Sequence, residues 1–270
     1  GDLPAAGEAA RLIASRPDVI FHLAAVVSGE AEQDFDKGYA INMDGTRNLL
    51  EAIRAAGEGY KPRFLFASSI AVFGAPFPAQ IPDNFFTTPL TSYGTQKAIC
   101  ELLISDYARR GMVDGLSIRL PTICVRPGAP NAAASGFFSN IIREPIAGEE
   151  AVLPVAEEVV HTHASPRSAT NFFIHAATLD LDEVGPRRAL SMPGVGVSVG
   201  EQIEALRRVG GERVVARIKR EPDPFIQGIV AGWPTRFDAV RARELGFEAE
   251  PDFDAIIRAH IEDERDGVIA

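Results

Sequence analysis

The sequence predicts an α/β protein built on a doubly wound parallel sheet. Strand-length apolar runs alternate with segments of helical spacing through the first half of the chain. The runs are apolar on both faces, as expected for parallel strands covered by helices on each side. Polar residues collect where a run ends, which is where open α/β sheets place their ligands. These three observations favour a site over the carboxyl edge of the sheet.

The first half supplies three strands and three helices in alternation. The run VIFHLAAVV at 19–27 is the first predicted buried strand. Leu49, Leu50 and Ile53 have helical spacing, and Gly57 is a typical helix stop. In chain order we predict a helix at 8–15, a strand at 19–27, a helix at 41–56, a strand at 63–68, a helix at 92–110 and a strand at 116–125.

The second half has shorter and more mixed elements. Its predicted helices are at 137–143, at 201–209 after Ser198, and at 253–263. We therefore expect a large sheet domain over residues 1–128, to which later segments return, and a smaller mixed α/β subdomain over 129–270 that mainly binds substrate.

Composition excludes several classes of protein. The 270 residues are 46% hydrophobic and 24% charged, which is typical of a globular enzyme with ample core. A net charge of -10 argues against a nucleic-acid surface, and no apolar stretch is long enough to cross a bilayer. Cys100 and Cys124 fit neither a disulfide framework nor a zinc site, so we expect a cytoplasmic protein with no metal.

Ser69, Tyr93 and Lys97 are the strongest candidates for catalysis. Tyr93 and Lys97 are four residues apart, so a helix puts them on one face, where the ammonium favours phenolate. Ser69 ends the apolar run that precedes them. A tyrosine assisted by lysine and serine suits removal of a secondary alcohol's proton while its carbon gives hydride to a nicotinamide. The plainer alternative is that Ser69 caps a turn and Tyr93 packs.

Five ordered motifs resemble the extended short-chain dehydrogenase/reductase family, which includes the NAD-dependent epimerases and dehydratases. They are HLAA at 22–25, NMDGTRN at 42–48, SSIAVFG at 68–74, YGTQK at 93–97 and RLPT at 119–122. The resemblance implies a Rossmann-type fold, NAD as cofactor, and binding of NAD by the domain at 1–128. It also implies that Tyr93 is the general base or acid, that Lys97 lowers its pKa and holds the nicotinamide ribose, and that Ser69 binds the reacting oxygen.

The resemblance assigns further residues to the cofactor. Leu23, Ala24 and Ala25 would line its adenine and ribose side, and Asn42 would support them from a helix, although it could instead cap that helix. The remaining expected contacts are Asp2 and Leu3 at the adenine edge, with Pro121 and Thr122 beside the nicotinamide. The family's first βαβ unit, with its glycine-rich turn, does not occur in this sequence, so we expect an amino-terminal truncation.

The segments VRPGAPNAAAS at 125–135, IIREPIAG at 141–148 and WPTRF at 233–237 resemble the D-erythronate dehydrogenases within that family. This resemblance implies oxidation of the C2 alcohol of a small sugar acid, D-erythronate, to 2-dehydro-D-erythronate. An acid substrate needs a cationic or amide clamp, for which Arg143 is the first candidate and Arg167 the second. Ser28 and Asn131 are candidates for binding substrate hydroxyls.

Three further expectations follow from the family resemblance. The helices at 42–56 and 92–110 resemble the family's dimer-forming bundle, so we expect a homodimer. A sugar-nucleotide 4-epimerase or dehydratase with retained NAD is the alternative enzyme. A non-catalytic NAD-sensing protein of the same fold is the other alternative, and the intact Ser69, Tyr93 and Lys97 argue against it.

Overall fold

The computed structural model describes residues 1–128 and 135–270, and its main sheet is parallel. The strands in chain order are β1 Val19–His22, β2 Arg63–Ser69, β3 Asp114–Leu120, β4 Thr122–Ile123, β5 Ala151–Leu153, β6 Val160–Ala164, β7 Ala189–Ser191, β8 Val195–Ser198 and β9 Ile218–Arg220. The main sheet has the order β1-β2-β3-β7 with every pairing parallel. Strands β4, β6 and β8 form a second sheet, and β5 pairs with β9. The predicted α/β fold with a parallel sheet is confirmed.

Helices cover the sheets and fill the second half. They are α1 Glu8–Ile13, α2 Ser28–Gln33, α3 Phe35–Gly38, α4 Gly45–Ala55, α5 Ser92–Arg109, α6 Gly136–Ala147, α7 Pro166–Thr178, α8 Leu181–Val184, α9 Val199–Gly210, α10 Glu212–Val215, α11 Pro224–Val230, α12 Val240–Glu244 and α13 Phe253–Arg265. A π-helical turn at Tyr39–Asp44 leads into α4. Ser198 caps α9 in a capping box with Glu201.

The prediction that the first strand is buried on both faces is wrong. Strand β1 has only four residues, and Val19, Phe21 and Leu23 are 37%, 47% and 57% exposed. The physical reason is position: within the described residues, β1 pairs with β2 alone and forms an edge of the sheet. An apolar run on both faces therefore did not distinguish a central strand from this edge strand.

The predicted strand at 116–125 is two strands in two sheets. Strand β3 ends at Leu120 beside β2, and β4 starts at Thr122 beside β6. Pro121 lies at the break, and it has no backbone N–H with which to continue a ladder. The break turns the chain from the main sheet toward the second half, directly above the carboxyl edge of β2.

Three of the four apolar clusters among the described residues hold these layers together. One packs α4 and α5 against β2 around Leu50, Phe64 and Phe66, which are fully buried. A second lies on the opposite face of the sheet around Leu65 and Leu116. The third belongs to the second half, where helices α6, α9 and α13 enclose their own core. The first cluster fixes β2 and α5 relative to each other, and these elements carry the candidate catalytic residues.

The described residues contain neither a membrane-spanning helix nor a cluster of metal-ligand side chains. No helix in the ranges 1–128 and 135–270 is both long and apolar enough to span a membrane. Within the same ranges, no group of three or more His, Cys, Asp and Glu side chains is placed to hold a metal ion.

Candidate active site

The site begins where α5 meets the carboxyl end of β2. Ser69 is the last residue of β2, and Tyr93 and Lys97 lie in the first turns of α5. The two elements approach closely at Gly94, where an added Cβ would lie 2.1 Å from the Ala71 carbonyl oxygen. Only glycine allows this approach, which brings Tyr93 to Ser69.

Tyr93 is a half-buried phenol that lies beside Ser69. Burial raises the pKa of Tyr93 to about 12, and a side-chain hydrogen bond with Ser69 opposes that rise. The Lys97 Nζ lies 5.5 Å from the centroid of the Tyr93 ring. Desolvation dominates the pKa of the phenol, and the role of Lys97 in lowering that pKa stays a prediction.

Lys97 is a buried ammonium with capacity for further hydrogen bonds. Its side chain is 2% exposed, and burial lowers its pKa to about 8. Nζ donates to the Ala67 carbonyl oxygen at 2.8 Å and lies 4.6 Å from the centre of the Phe66 ring. An ammonium has three donors, so Lys97 can also donate to hydroxyls of a bound molecule.

Two adjoining cavities meet at these residues. The first cavity has a volume of about 140 Å³ and reaches toward His161 and Trp233. The second cavity has a volume of about 310 Å³ and reaches along β1 and past Lys97. The polar residues that line both are Ser28, Ser69, Tyr93, Thr122 and Ser135. A molecule in either cavity would face the hydroxyl groups of Ser69 and Tyr93.

The second cavity gathers most of the predicted cofactor residues. Leu23, Ala25, Pro121 and Thr122 line it together with Lys97. Its wall combines apolar surface from the end of β1 with the buried ammonium, which suits a nicotinamide ribose held at its hydroxyls. The residues present therefore fit the cofactor that the sequence predicts.

Asn42 supports a wall of this cavity through buried hydrogen bonds, although it does not line the cavity. It is 1% exposed, its Oδ1 accepts from the Val26 N–H at 2.9 Å, and its Nδ2 donates to the Val26 carbonyl oxygen at 3.2 Å. The same Nδ2 donates to Gln96 Oε1 at 2.7 Å. Asn42 thus ties the segment after β1 to α5, and it caps no helix.

Three other predicted cofactor residues lie outside the two cavities. Asp2 is exposed, and the Leu3 carbonyl oxygen accepts from Asn48 Nδ2 at 3.2 Å. Ala24 is exposed beside the lining residues Leu23 and Ala25.

The structure does not bring either predicted substrate-binding arginine to the cavities. Arg143 Nη1 donates to the Arg126 carbonyl oxygen at 2.7 Å, and its Nη2 pairs with Glu144 at 2.6 Å. Arg167 pairs with Asp263 at 2.7 Å and Glu262 at 2.9 Å on the surface. Both guanidinium groups are held by local partners, so the expectation that they clamp a carboxylate is corrected.

Ser28 is at the predicted place, since it lines both cavities from the start of α2. Asn131, the other candidate for substrate hydroxyls, lies outside the described residues. Its assignment therefore stays a prediction.

Sequence reasoning missed Arg126, Ser135, His161 and Trp233. His161 Nε2 lies 2.7 Å from Thr122 Oγ1, and its ring stacks on Phe138 at 5.2 Å. Burial lowers the pKa of His161 to about 4, so the imidazole is neutral at pH 7. Arg126 and Trp233 both stand in segments that carried the family resemblance, but no spacing pattern indicated which of their side chains face a cavity.

The chain is similar to known proteins over most of its length. A family model described as "NAD dependent epimerase/dehydratase family" matches residues 1–165. A D-erythronate dehydrogenase from Cupriavidus necator is 48% identical over 97% of this chain and 81% of its own length.

Two solved structures share the fold. One, named as a nucleoside-diphosphate-sugar epimerase from Agrobacterium tumefaciens, is 67% identical with a TM-score of 0.98, covering 100% of this chain and 80% of its own. The other is a GalE-like L-threonine dehydrogenase from Cupriavidus necator in its holo form. It is 25% identical with a TM-score of 0.86, and the match covers 97% of this chain and 84% of that structure's chain.

Proposed function

Because this chain belongs to the NAD dependent epimerase/dehydratase family and is an oxidoreductase, we propose that it oxidises the C2 alcohol of a small sugar acid. The proposed reaction converts D-erythronate to 2-dehydro-D-erythronate with NAD. The observation that carries the proposal is that Ser69 and Tyr93 together line two adjoining cavities, one of them small. The 48% identity to a D-erythronate dehydrogenase supports the choice of substrate.

The chemistry follows from three side chains. Ser69 would hold the substrate's C2 oxygen by a hydrogen bond, and Tyr93 would accept its proton. Lys97 would bind the ribose hydroxyls and add positive charge near the phenol. NAD, when bound, supplies the hydride acceptor and further positive charge beside Tyr93. That added charge is needed because burial raises the pKa of Tyr93 to about 12 despite the opposing effect of Ser69.

The domain assignment belongs to the same proposal. Residues 1–128 would bind NAD along the second cavity, while residues 129–270 would mainly form the far wall of the first cavity. Strand β7 returns from the second half to the main sheet, so the boundary is crossed once by a strand.

A sugar-nucleotide 4-epimerase is the second candidate, favoured by the name of the 67% identical structure. The size of the first cavity argues against it. A volume of about 140 Å³ suits a few-carbon acid, whereas sites for drug-sized ligands occupy roughly 300–1,000 Å³. We therefore prefer the dehydrogenase.

An assay of NADH formation by the full-length protein distinguishes the dehydrogenase from the epimerase. We expect NADH with D-erythronate and much slower rates with D-threonate, L-threonate and galacturonate. An epimerase would instead retain NAD through purification and interconvert sugar nucleotides without net NADH. The absence of NADH with every acid would reject the dehydrogenase.

A homodimer is proposed on the face of α4 and α5. Leu102 on α5 is 69% exposed and Leu90 just before it is 71% exposed, which leaves apolar surface for a second copy to cover. Sedimentation of the wild type and of Leu102→Lys tests this. A dimer that the substitution dissociates is the expected result, and a wild-type monomer would contradict it.

A cytoplasmic location is proposed from the cysteines. Cys100 and Cys124 are both buried free thiols, as is usual in a reducing compartment. Fractionation of cells that produce the protein should recover it with cytoplasmic markers. Recovery in a secreted or periplasmic fraction would contradict this.

A further inference from the structure

Arg126 is the guanidinium that the fold delivers to the catalytic cavities. It follows β4 and lines the second cavity together with Ser69 and Tyr93. Its Nη2 lies 3.4 Å from the hydroxyl of Ser135, a residue that lines both cavities. The cationic end of Arg126 therefore lies where the two cavities join.

The backbone of Arg126 is fixed on both sides. Its N–H donates to the buried Ser139 Oγ at 3.1 Å, and its carbonyl oxygen accepts from Arg143 Nη1 at 2.7 Å. Arg143 is itself held by Asn140 Oδ1 at 2.8 Å and by Glu144. The fixed backbone lowers the part of the ordering cost that Arg126 would otherwise incur when its guanidinium binds a ligand.

The surroundings of Arg126 favour an anion. Burial lowers the pKa of Arg126, and the positive charge of Arg143 acts in the same direction. Among the residues at 1–128 and 135–270, no carboxylate forms a salt bridge with Arg126, whereas Arg119 pairs with Glu101 at 2.7 Å and Arg167 pairs with Asp263. A half-buried cation in such a place is stabilised by a negatively charged ligand.

We propose that Arg126 binds the carboxylate of the substrate and that Arg143 is a positioning residue acting through the Arg126 carbonyl. This inference rests on the proposed oxidation of a sugar acid. Its substrate class is the 2-hydroxy carboxylates, whose hydroxyl faces Ser69 and Tyr93 while the carboxylate meets the guanidinium fork and Ser135. The planar fork can donate two parallel hydrogen bonds to a carboxylate, which a lysine cannot.

The test compares variants on a charged and an uncharged substrate. Arg126→Gln should lower kcat/KM for D-erythronate by roughly 10- to 100-fold, the usual value of a charge-assisted hydrogen bond. It should change kcat/KM for D-erythronamide, the neutral amide of the same acid, by less than about 3-fold. Arg126→Lys should fall between wild type and Arg126→Gln on the acid.

Two more variants separate binding from structure. Arg167→Gln removes a surface guanidinium and should leave both substrates unaffected. Arg143→Gln should raise KM for the acid more than it lowers kcat, while the neutral amide is little changed. An equal loss on acid and amide with Arg126→Gln, or a loss confined to KM for NAD, would overturn the inference.

Carboxylate binding is measured independently of turnover. Calorimetric titration of wild type with D-erythronate in the presence of NADH, which cannot accept hydride, should show binding that Arg126→Gln weakens by roughly 10-fold or more, with matched circular dichroism. If wild type forms no NADH but this binding depends on Arg126, the proposed function fails and the carboxylate site stands. If NADH forms and binding is equal in the two proteins, the proposed function stands and the carboxylate site fails.

Discussion

At the scale of single residues, Tyr93 and Ser69 carry the proposed chemistry. Tyr93→Phe keeps the ring and removes the proton acceptor, so turnover should fall roughly 100- to 10,000-fold. The matched control is Tyr107→Phe on the same helix, whose hydroxyl bonds Glu51 away from both cavities. Steady-state kinetics should give the control nearly wild-type turnover, and a Tyr93→Phe enzyme with unchanged turnover would remove tyrosine from the mechanism.

The buried charge of Lys97 lowers the stability of the fold, and the proposed function needs that charge. Its pKa in the folded protein is about 8, below the ordinary value of 10.5, so the buried charge destabilises the fold fully below pH 8 and the penalty disappears as pH rises to 10.5. Lys97→Met should therefore raise the free energy of unfolding at pH 7 by about 1 to 3 kcal/mol while abolishing turnover.

Urea unfolding measures this effect, with the exposed Lys61→Met as control. The control should leave the free energy of unfolding within about 0.5 kcal/mol of wild type. A Lys97→Met protein less stable than wild type at pH 7 would show that its contacts with Ala67 and Phe66 outweigh desolvation.

The relative positions of site residues could be predicted where the geometry is local. Tyr93 and Lys97 are one helical turn apart and Ser69 ends a strand, so their placement follows from spacing and strand ends. Arg126 and Arg143 lie 17 residues apart in similar segments, and only folding decides which guanidinium faces the cavity. His161 reaches the site through β6, which pairs with β4 across a long stretch of sequence.

At the scale of elements, the turn before α4 fixes the segment after β1. Asn42→Ala would leave the Val26 N–H and carbonyl and the Gln96 side chain without their partner in a buried place. We expect a loss of about 3 kcal/mol in the free energy of unfolding and a higher KM for NAD, since Leu23, Ala25 and Ser28 shift with Val26.

Asn48→Ala is the matched control on α4, because Asn48 makes a single bond to the Leu3 carbonyl. It should lose about 1 kcal/mol or less and keep the wild-type KM for NAD. Equal effects of the two substitutions would contradict a special role for Asn42.

Element prediction was limited by information that a local pattern lacks. Helices α4, α5 and α13 agree with their apolar spacing and stops. The burial of β1 depends on how many neighbours it has, and the split at Pro121 depends on β6 being available to pair with β4. The local sequence of 19–27 or of 116–125 contains neither of these two pieces of information.

At the scale of the whole molecule, buried neutral histidines make the fold sensitive to acid. Burial lowers the pKa of His22 and of His161 from 6.5 to about 4. Between those values the unfolded chain binds more protons, so stability falls as pH falls from 6.5 to 4. Each histidine contributes a loss of about 3 kcal/mol over that window.

Urea unfolding at steps from pH 7 to pH 4 measures this loss. His22→Gln removes one titrating group, so it should flatten the dependence by about 3 kcal/mol over the window. A variant with the same pH dependence as wild type would show that His22 is not neutral in the fold.

The central claim is that hydride leaves C2 of a sugar acid under the control of Tyr93. The most direct measurement supplies D-erythronate deuterated at C2 to the wild type and to Tyr93→Phe, and determines deuterium in the NADH formed. The account predicts one deuterium per NADH from wild type, a slower rate than with unlabelled acid, and almost no NADH from Tyr93→Phe. NADH without deuterium, or equal rates from both proteins, would contradict it.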